Sequence, residues 1–341
     1  MDFIGSKEKL NSWIFSKILH SKKSLSKYIN NPFEVLTFLD GCSGSCSTTI
    51  YASNLGIRVI SNDILSFSQH IAIGATSISL SNYREAEEYI KEMNNLKPVE
   101  GFFFNNYSEK VNRPYFTSSN AGKIDACRLY ANKIKNEFVK SYILYCMLKA
   151  LSRVSNTTGV QAAFLKSFKD RALQPFVLRC EETSFKNNVI AYNKDIIDLL
   201  SDPNFRSKFE EDILYIDPPY NERQYGPNYH LYETLIKYDN PQIRGITGLR
   251  DWSYSKSGFC ERKSFLELLK KIINKTFAKS IFLSYSSDGL IERYDLEKFI
   301  LENNLGELSI HLHPKKRYKS DSNRKNNLSF LMEYLLEITR V

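Results

Sequence analysis

The sequence predicts an α/β fold: a mostly parallel sheet with helices on its faces, interrupted by a largely helical insertion. Three observations carry this. Short apolar runs at residues 34–39, 57–61, 188–192, 213–216 and 280–283 alternate with stretches of helical spacing. Four of the runs end at, or just before, an acid: Asp40, Asp63, Asp195 and Asp217. The first run opens into a glycine-bearing loop, helix, strand and acid, which is the first half of a nucleotide-type sheet.

Composition narrows the partner. The 341 residues hold one large domain with an insertion, or two domains, and 42% hydrophobic residues suffice for a sizeable core. Lys and Arg number 47 against 38 Asp and Glu, a formal net charge of +9, which favours a polyanion such as nucleic acid. Cysteines at 42, 46, 127, 146, 180 and 260 form no Cys-x-x-Cys pair, which argues against a zinc ribbon. No signal-peptide core and no apolar run of about 18 residues occur, so a cytoplasmic protein with reduced thiols and no membrane partner is expected.

In chain order, Phe3-Ile4-Gly5-Ser6-Lys7 reads as a glycine turn opening a basic helix, with Trp13, Ile14, Ile18 and Leu25 at helical spacing. Read blandly, Lys7 is a solvated lysine at a helix start. Residues 34–39 form a strand, and Asp40 begins the loop Gly41-Cys42-Ser43-Gly44-Ser45-Cys46. A helix over 47–55 and a strand over 57–61 follow. Asp63 then stands where an acid for ribose hydroxyls is expected, about 20 residues on. Residues 65–185 read as the insertion, with helices over 64–80, 83–94 and 121–151 around a polar, aromatic segment from Phe102 to Asn120. Residues 1–64 and 186–341 then make the sheet domain. Within it, 221–278 hold a glycine- and arginine-bearing loop (242–258) between two helical stretches. The strand at 280–283 closes with Ser284 to Ser287, and a helix covers 293–304. Residues 305–312 and 328–338 pair as a hairpin. Their connector carries Lys315, Lys316, Arg317, Lys319, Arg324 and Lys325, candidate phosphate contacts.

The acids converge on the carboxyl edge of the sheet, where open α/β sheets bind ligands. At Asp217-Pro218-Pro219-Tyr220, two prolines stop the strand and leave a stiff corner. Asp217 and the Pro218 carbonyl offer acceptors beside the flat ring of Tyr220, which suits a planar heterocycle with an exocyclic amine. An ordinary strand-end turn is the plain alternative. Gly41 and Gly44 do not make Gly-x-Gly-x-x-Gly, and no phosphate-loop Lys-Ser/Thr pair follows, so a pyrophosphate is poorly served. A ligand with ribose, adenine and a cationic amino-acid tail fits better, and S-adenosylmethionine has those parts.

With these motifs the sequence resembles the N6-adenine DNA methyltransferases of the Dam-like (D12) class, above all the methylases of type II restriction–modification systems. Phe3-Ile4-Gly5-Ser6-Lys7 is similar to the amino-terminal cofactor motif, Asp40 to Cys46 to the glycine loop, and Asp217 to Tyr220 to the catalytic tetrapeptide. Residues 220–235, 113–128, 156–165 and 284–286 also resemble that subgroup. The resemblance implies a Rossmann-like S-adenosylmethionine-dependent methyltransferase sheet. It implies cofactor contacts at Phe3, Gly5, Ser6, Lys7, Asp40, Gly41, Cys42, Ser43, Gly44, Asp63, Ile64, Asp195 and Asp217. Catalysis falls to Asp217, Pro218, Pro219 and Tyr220, with Tyr225 and Asn228 as further DNA contacts. Cys42 departs from the usual aromatic of the loop, and Cys46 from its second glycine. The gap between Asp195 and Asp217 is too short for a recognition region, so target recognition is expected in 66–185 or 221–278.

The implied reaction methylates N6 of a flipped-out adenine in double-stranded DNA. A monomer is expected, and a cognate restriction endonuclease is the implied functional partner. N4-cytosine or RNA adenine methylation, or a catalytically silent DNA-binding module, stay open as alternatives. C5-cytosine chemistry is disfavoured because no proline precedes a cysteine. His311 and His313 could share a strand face, but no third ligand is evident, so no metal is expected. His230 is read as structural or as a DNA contact.

Overall fold

The computed structural model describes residues 3, 5–21, 36–316 and 330–340. Seven strands form one sheet: β1 Thr37–Asp40, β2 Arg58–Asn62, β3 Val189–Tyr192, β4 Ile213–Ile216, β5 Ser280–Ser286, β6 Glu307–Lys316 and β7 Phe330–Thr339. Their order is β3-β2-β1-β4-β5-β7-β6. The first five run parallel, and β7 is antiparallel to both β5 and β6. The order reverses between β1 and β4, which opens a crevice at their carboxyl ends.

Apolar runs become these strands because both faces are covered. On one face Phe38, Val59, Val189, Tyr215, Phe282 and Leu335 share a core with the helices Asn11–His20, Ser66–Thr76, Leu80–Asn95, Ser118–Ala131 and Glu137–Val154. The helices of 65–185 are therefore the layer that covers this face. On the other face Leu39, Ile60, Leu214, Ile216, Ile281 and Leu283 pack against the helices Ile196–Ser201, Arg262–Lys275 and Arg293–Glu302.

Several elements differ from the sequence expectation. The single helix over 121–151 is two, because Asn136 caps a new start by accepting from the amides of Phe138 (3.2 Å) and Val139 (3.4 Å). The segment from Phe102 to Asn120 contributes Phe103, Tyr107, Tyr115 and Phe116 to the core. Strand β5 runs on through Ser286, where a closing loop was expected, because β7 supplies backbone partners as far as Ser286 opposite Glu333. Strand β6 likewise runs to Lys316, paired throughout with β7, so residues 313–316 belong to the sheet. Leu25, Arg317, Lys319, Arg324 and Lys325 lie outside the described residues. No helix among the described residues is long and apolar enough to cross a membrane.

Candidate active site

A cavity of about 520 Å³ opens at the carboxyl edge between β1 and β4. Its first wall is built locally. Asp40 ends β1, and the loop after it turns back so that Ser43 N donates to Asn62 O at 2.9 Å. Asp63 fixes the turn, accepting from Gly44 N and Leu65 N, each at 2.8 Å. Cys46 closes the loop with φ of 59°, a left-handed conformation that costs an L-residue about 1–2 kcal/mol. Its buried thiol donates to Ser68 O at 3.1 Å, so the side chain that replaces a glycine here points into the core. Asp40 is 1% exposed. One oxygen accepts from Thr49 Oγ1 at 2.7 Å, and Oδ1 has no partner among the described residues. Burial pushes its carboxyl to about 7 and that of Asp63 to about 6. Asp195, exposed at the rim, accepts from Ile197 N at 2.8 Å and caps the helix it begins.

The second wall is assembled from distant parts of the chain. Asp217 follows β4, and its Oδ1 accepts from Lys7 Nζ at 2.8 Å. Lys7 is 2% exposed, which overturns its reading as a solvated lysine. Burial works against the Lys7 charge, but Asp217 and then Glu333 outweigh it and hold its pKa above the ordinary range. Burial also pushes Asp217 up, against the pull of Lys7. The Tyr220 ring lies edge-on to Tyr285 at 6.2 Å, and its carbonyl accepts from Leu290 N at 2.8 Å. Phe3, Phe67, Tyr225 and Tyr229 line the apolar floor. The short helix Tyr225–Asn228 rests on the loop after Trp252: a β-carbon on Gly226 would stand 2.6 Å from Ser255 Oγ and 2.9 Å from Trp252 Cβ.

Comparison with known proteins identifies the family. The family model for D12 class N6 adenine-specific DNA methyltransferases matches residues 3–298. The chain belongs to this class. It is 36% identical over 363 residues to the type II methyltransferase M.FokI of Planomicrobium okeanokoites, covering 100% of this chain and 53% of the relative. It therefore spans about half the length of that relative. It is 30% identical over 353 residues to M.NlaIII of Neisseria lactamica, covering 99% and 100% of the two chains. M.CviAII of Paramecium bursaria Chlorella virus 1 is 31% identical over 334 residues, covering 95% and 94%. Among solved structures, the rRNA methyltransferase aviRa of Streptomyces viridochromogenes aligns over 98% of this chain and 86% of its own, at 11% identity and a TM-score of 0.37. Family membership implies S-adenosylmethionine as the methyl donor.

In this chain the cavity gathers most of the residues singled out from sequence. Phe3, Gly5, Ser6, Lys7, Asp40 and Gly41 line it, as do Cys42, Ser43, Gly44, Asp63 and Ile64. Asp195, Asp217, Pro219, Tyr220 and Tyr225 complete the set. Pro218 is buried outside the lining. Asn228 also lies outside it, its carbonyl accepting from Gln161 N at 2.8 Å. Lys315 is not a free phosphate contact, since its Nζ donates to Glu333 Oε1 at 3.0 Å. Lys316 ends β6. His230 is no DNA contact: it is fully buried and meets the Gln161 carbonyl at 2.8 Å, and burial lowers its pKa to about 4.

Glu233 and Glu333 are buried acids near the site that the catalytic and cofactor motifs do not include. Glu233 binds Ser66 N at 3.0 Å and the Tyr254 hydroxyl at 2.9 Å, tying the helix His230–Lys237 to the start of Ser66–Thr76. Glu333 lies within the apolar strand β7. Its signal was present: Glu333 and Glu337 interrupt an apolar run at a spacing that puts both on one strand face, and buried acids need partners.

Proposed function

We propose that this chain transfers a methyl group from S-adenosylmethionine to N6 of an adenine flipped out of double-stranded DNA, at a specific site, as the modification enzyme of a type II restriction system. The observation that carries this is the cavity at the strand-order reversal, with acids on one wall and Asp217 beside Tyr220 on the other.

The residues fit the cofactor. Every lysine lining the cavity already faces a carboxylate: Lys7 with Asp217 at 2.8 Å, Lys194 with Asp202 at 2.5 Å, Lys256 with Glu261 at 3.2 Å. Phosphate is thus poorly served, while the partnerless Asp40 Oδ1 and the rim acid Asp195 suit a ligand of hydroxyls, amine and ammonium. Asp63 would take the ribose hydroxyls, Asp195 the adenine edge, and Asp40 with its loop the amino-acid tail. When bound, the cofactor supplies a methyl already activated on a sulfonium.

The chain's own work is positioning. Asp217 and the Pro218 carbonyl would accept both hydrogens of the adenine amine and favour a more tetrahedral nitrogen, aligned for in-line attack. Flipping costs a few kcal/mol, offset in part by stacking on Tyr220. One flipped base per event asks for one catalytic chain, so a monomer suffices. Target recognition belongs to 65–185 or 221–278, whose Ser255 to Glu261 segment reaches the cavity.

The test is methyl transfer from labelled S-adenosylmethionine to unmethylated bacterial DNA, followed by nucleoside digestion and mass analysis. N6-methyldeoxyadenosine is expected. N4-methyldeoxycytidine would keep the positioning chemistry and change the base. No DNA product despite cofactor binding would move the acceptor to RNA, and failure of both would leave a DNA-binding module.

A further inference from the structure

Lys7 occupies the place a substrate amine needs. Its Nζ lies 2.8 Å from Asp217 Oδ1 and 5.6 Å from the centre of the Tyr220 ring. An adenine amine held by Asp217 over Tyr220 must displace it. A buried ammonium stripped of its partner is strongly destabilised. It requires another acceptor close by.

Strand register supplies one. Ile216 lies beside Leu283, Ser284 opposite Leu335, and Ser286 opposite Glu333. Strand alternation therefore sets Asp217, Ser284, Ser286 and Glu333 on one face. The amino-terminal segment covers that face: Trp13 packs on His313, at 5.0 Å between ring centres, and His313 lies opposite Glu333. Glu333 is 3% exposed. Lys315 occupies its Oε1, and Oε2 has no partner among the described residues. A buried carboxylate oxygen without a donor asks for an explanation. Its charge already acts on Lys7, Asp217 and Tyr220.

We propose that Glu333 is a positioning residue: its partnerless Oε2 receives the Lys7 ammonium when a substrate amine takes the place of that ammonium on Asp217. The proton stays on Lys7 throughout, and only its partner changes. Lys7 thus guards the acceptor when no base is present, and Glu333 makes its withdrawal inexpensive. This rests on the methyltransferase reading above.

The experiment measures single-turnover methyl transfer at saturating cofactor, with DNA varied, after wild-type activity on DNA adenine has been established. An inactive wild type would overturn the underlying reading and would be seen first. Glu333→Gln should slow transfer by about tenfold, the ratio that one lost charge-assisted contact of about 1.4 kcal/mol produces. Cofactor affinity should stay within about twofold, and Glu333→Asp should recover part of the rate. The double variant with Lys7→Met should be no slower than Lys7→Met alone, because the two residues act as one device. Lys315→Met, which frees both Glu333 oxygens, should move the other way and lower KM for DNA. Glu337→Gln removes a buried acid of the same strand that pairs with His311 and Ser21 instead. The proposal is overturned if Glu333→Gln stays within about twofold of wild type or slows transfer no more than Glu337→Gln does, or if its effect multiplies with that of Lys7→Met.

Discussion

Asp63 and Asp217 end neighbouring parts of the same sheet edge, yet they are held in opposite ways. Asp63 is fixed by backbone amides of Gly44 and Leu65, close in sequence, beside the paired strands β1 and β2. Asp217 is fixed by Lys7, from the far end of the chain, over a face that also carries Glu333. The amide-held wall is a passive cradle. The ion-paired wall, on the proposed reading, would exchange its partner to admit a flipped base.

The largest expected effect breaks the second wall. Asp217→Ala should lower methyl transfer by about 10²- to 10³-fold, the scale of losing one preorganised hydrogen-bonding group, while cofactor affinity changes by less than about tenfold. The same change leaves Lys7 only the Glu333 carboxylate to turn to, so thermal unfolding should report a loss smaller than the roughly 3 kcal/mol of a fully stranded buried charge. Transfer near the wild-type rate would end the assignment of Asp217.

Damage to the first wall should look different. Asp63→Ala should weaken cofactor affinity by about 10- to 100-fold, as for one or two charge-assisted hydrogen bonds, with transfer at saturation little changed. Equilibrium binding beside single-turnover rates separates the two walls. If both variants lower transfer and spare binding, the contrast between the walls fails.

A smaller effect follows from burial of Asp40, whose carboxyl titrates near 7 in the free protein. Below that pH the group holds its proton, and a cationic tail binds the ionised form, so binding must expel the proton. Affinity should therefore rise with pH and level off above about 7, by up to about tenfold for each unit the bound cation lowers this pKa. Calorimetry in buffers of different ionisation heat should detect the released proton, and Asp40→Asn should abolish both signals. A flat profile in wild type would place the cationic tail elsewhere.

The smallest effect tests how the loop after Trp252 joins the site. Gly226→Ala puts a methyl 2.6 Å from Ser255 Oγ and 2.9 Å from Trp252 Cβ, an overpacking that should cost about 1–3 kcal/mol in denaturant unfolding. Stability equal to wild type would mean the loop yields freely.

Legibility followed the range of the interactions. The acids at strand ends, the Pro-Pro corner and the glycine loop were readable because each rests on neighbours a few residues away. Cys46 hid its role, since nothing adjacent announces a left-handed cysteine whose thiol reaches Ser68. The extent of β5 beyond Leu283 was hidden too: Ser284 and Ser286 are poor strand signals, and their pairing comes from β7, at the far end of the chain. Lys315 looked like a free cation in a basic connector because Glu333 meets it only across a strand pair.

The sequence by itself determined that this is an α/β methyltransferase sheet with Asp40, Asp63, Asp195 and Asp217 at its carboxyl edge. Strand periodicity, proline and glycine act locally, and the family motifs are contiguous. Only the tertiary structure decided that Lys7 is buried on Asp217, that Glu333 stands on the same face with one oxygen unpartnered among the described residues, and that the insertion helices cover the sheet. Those are contacts between residues far apart along the chain, created when helices and antiparallel strands bury their apolar faces together, and no local pattern encodes them.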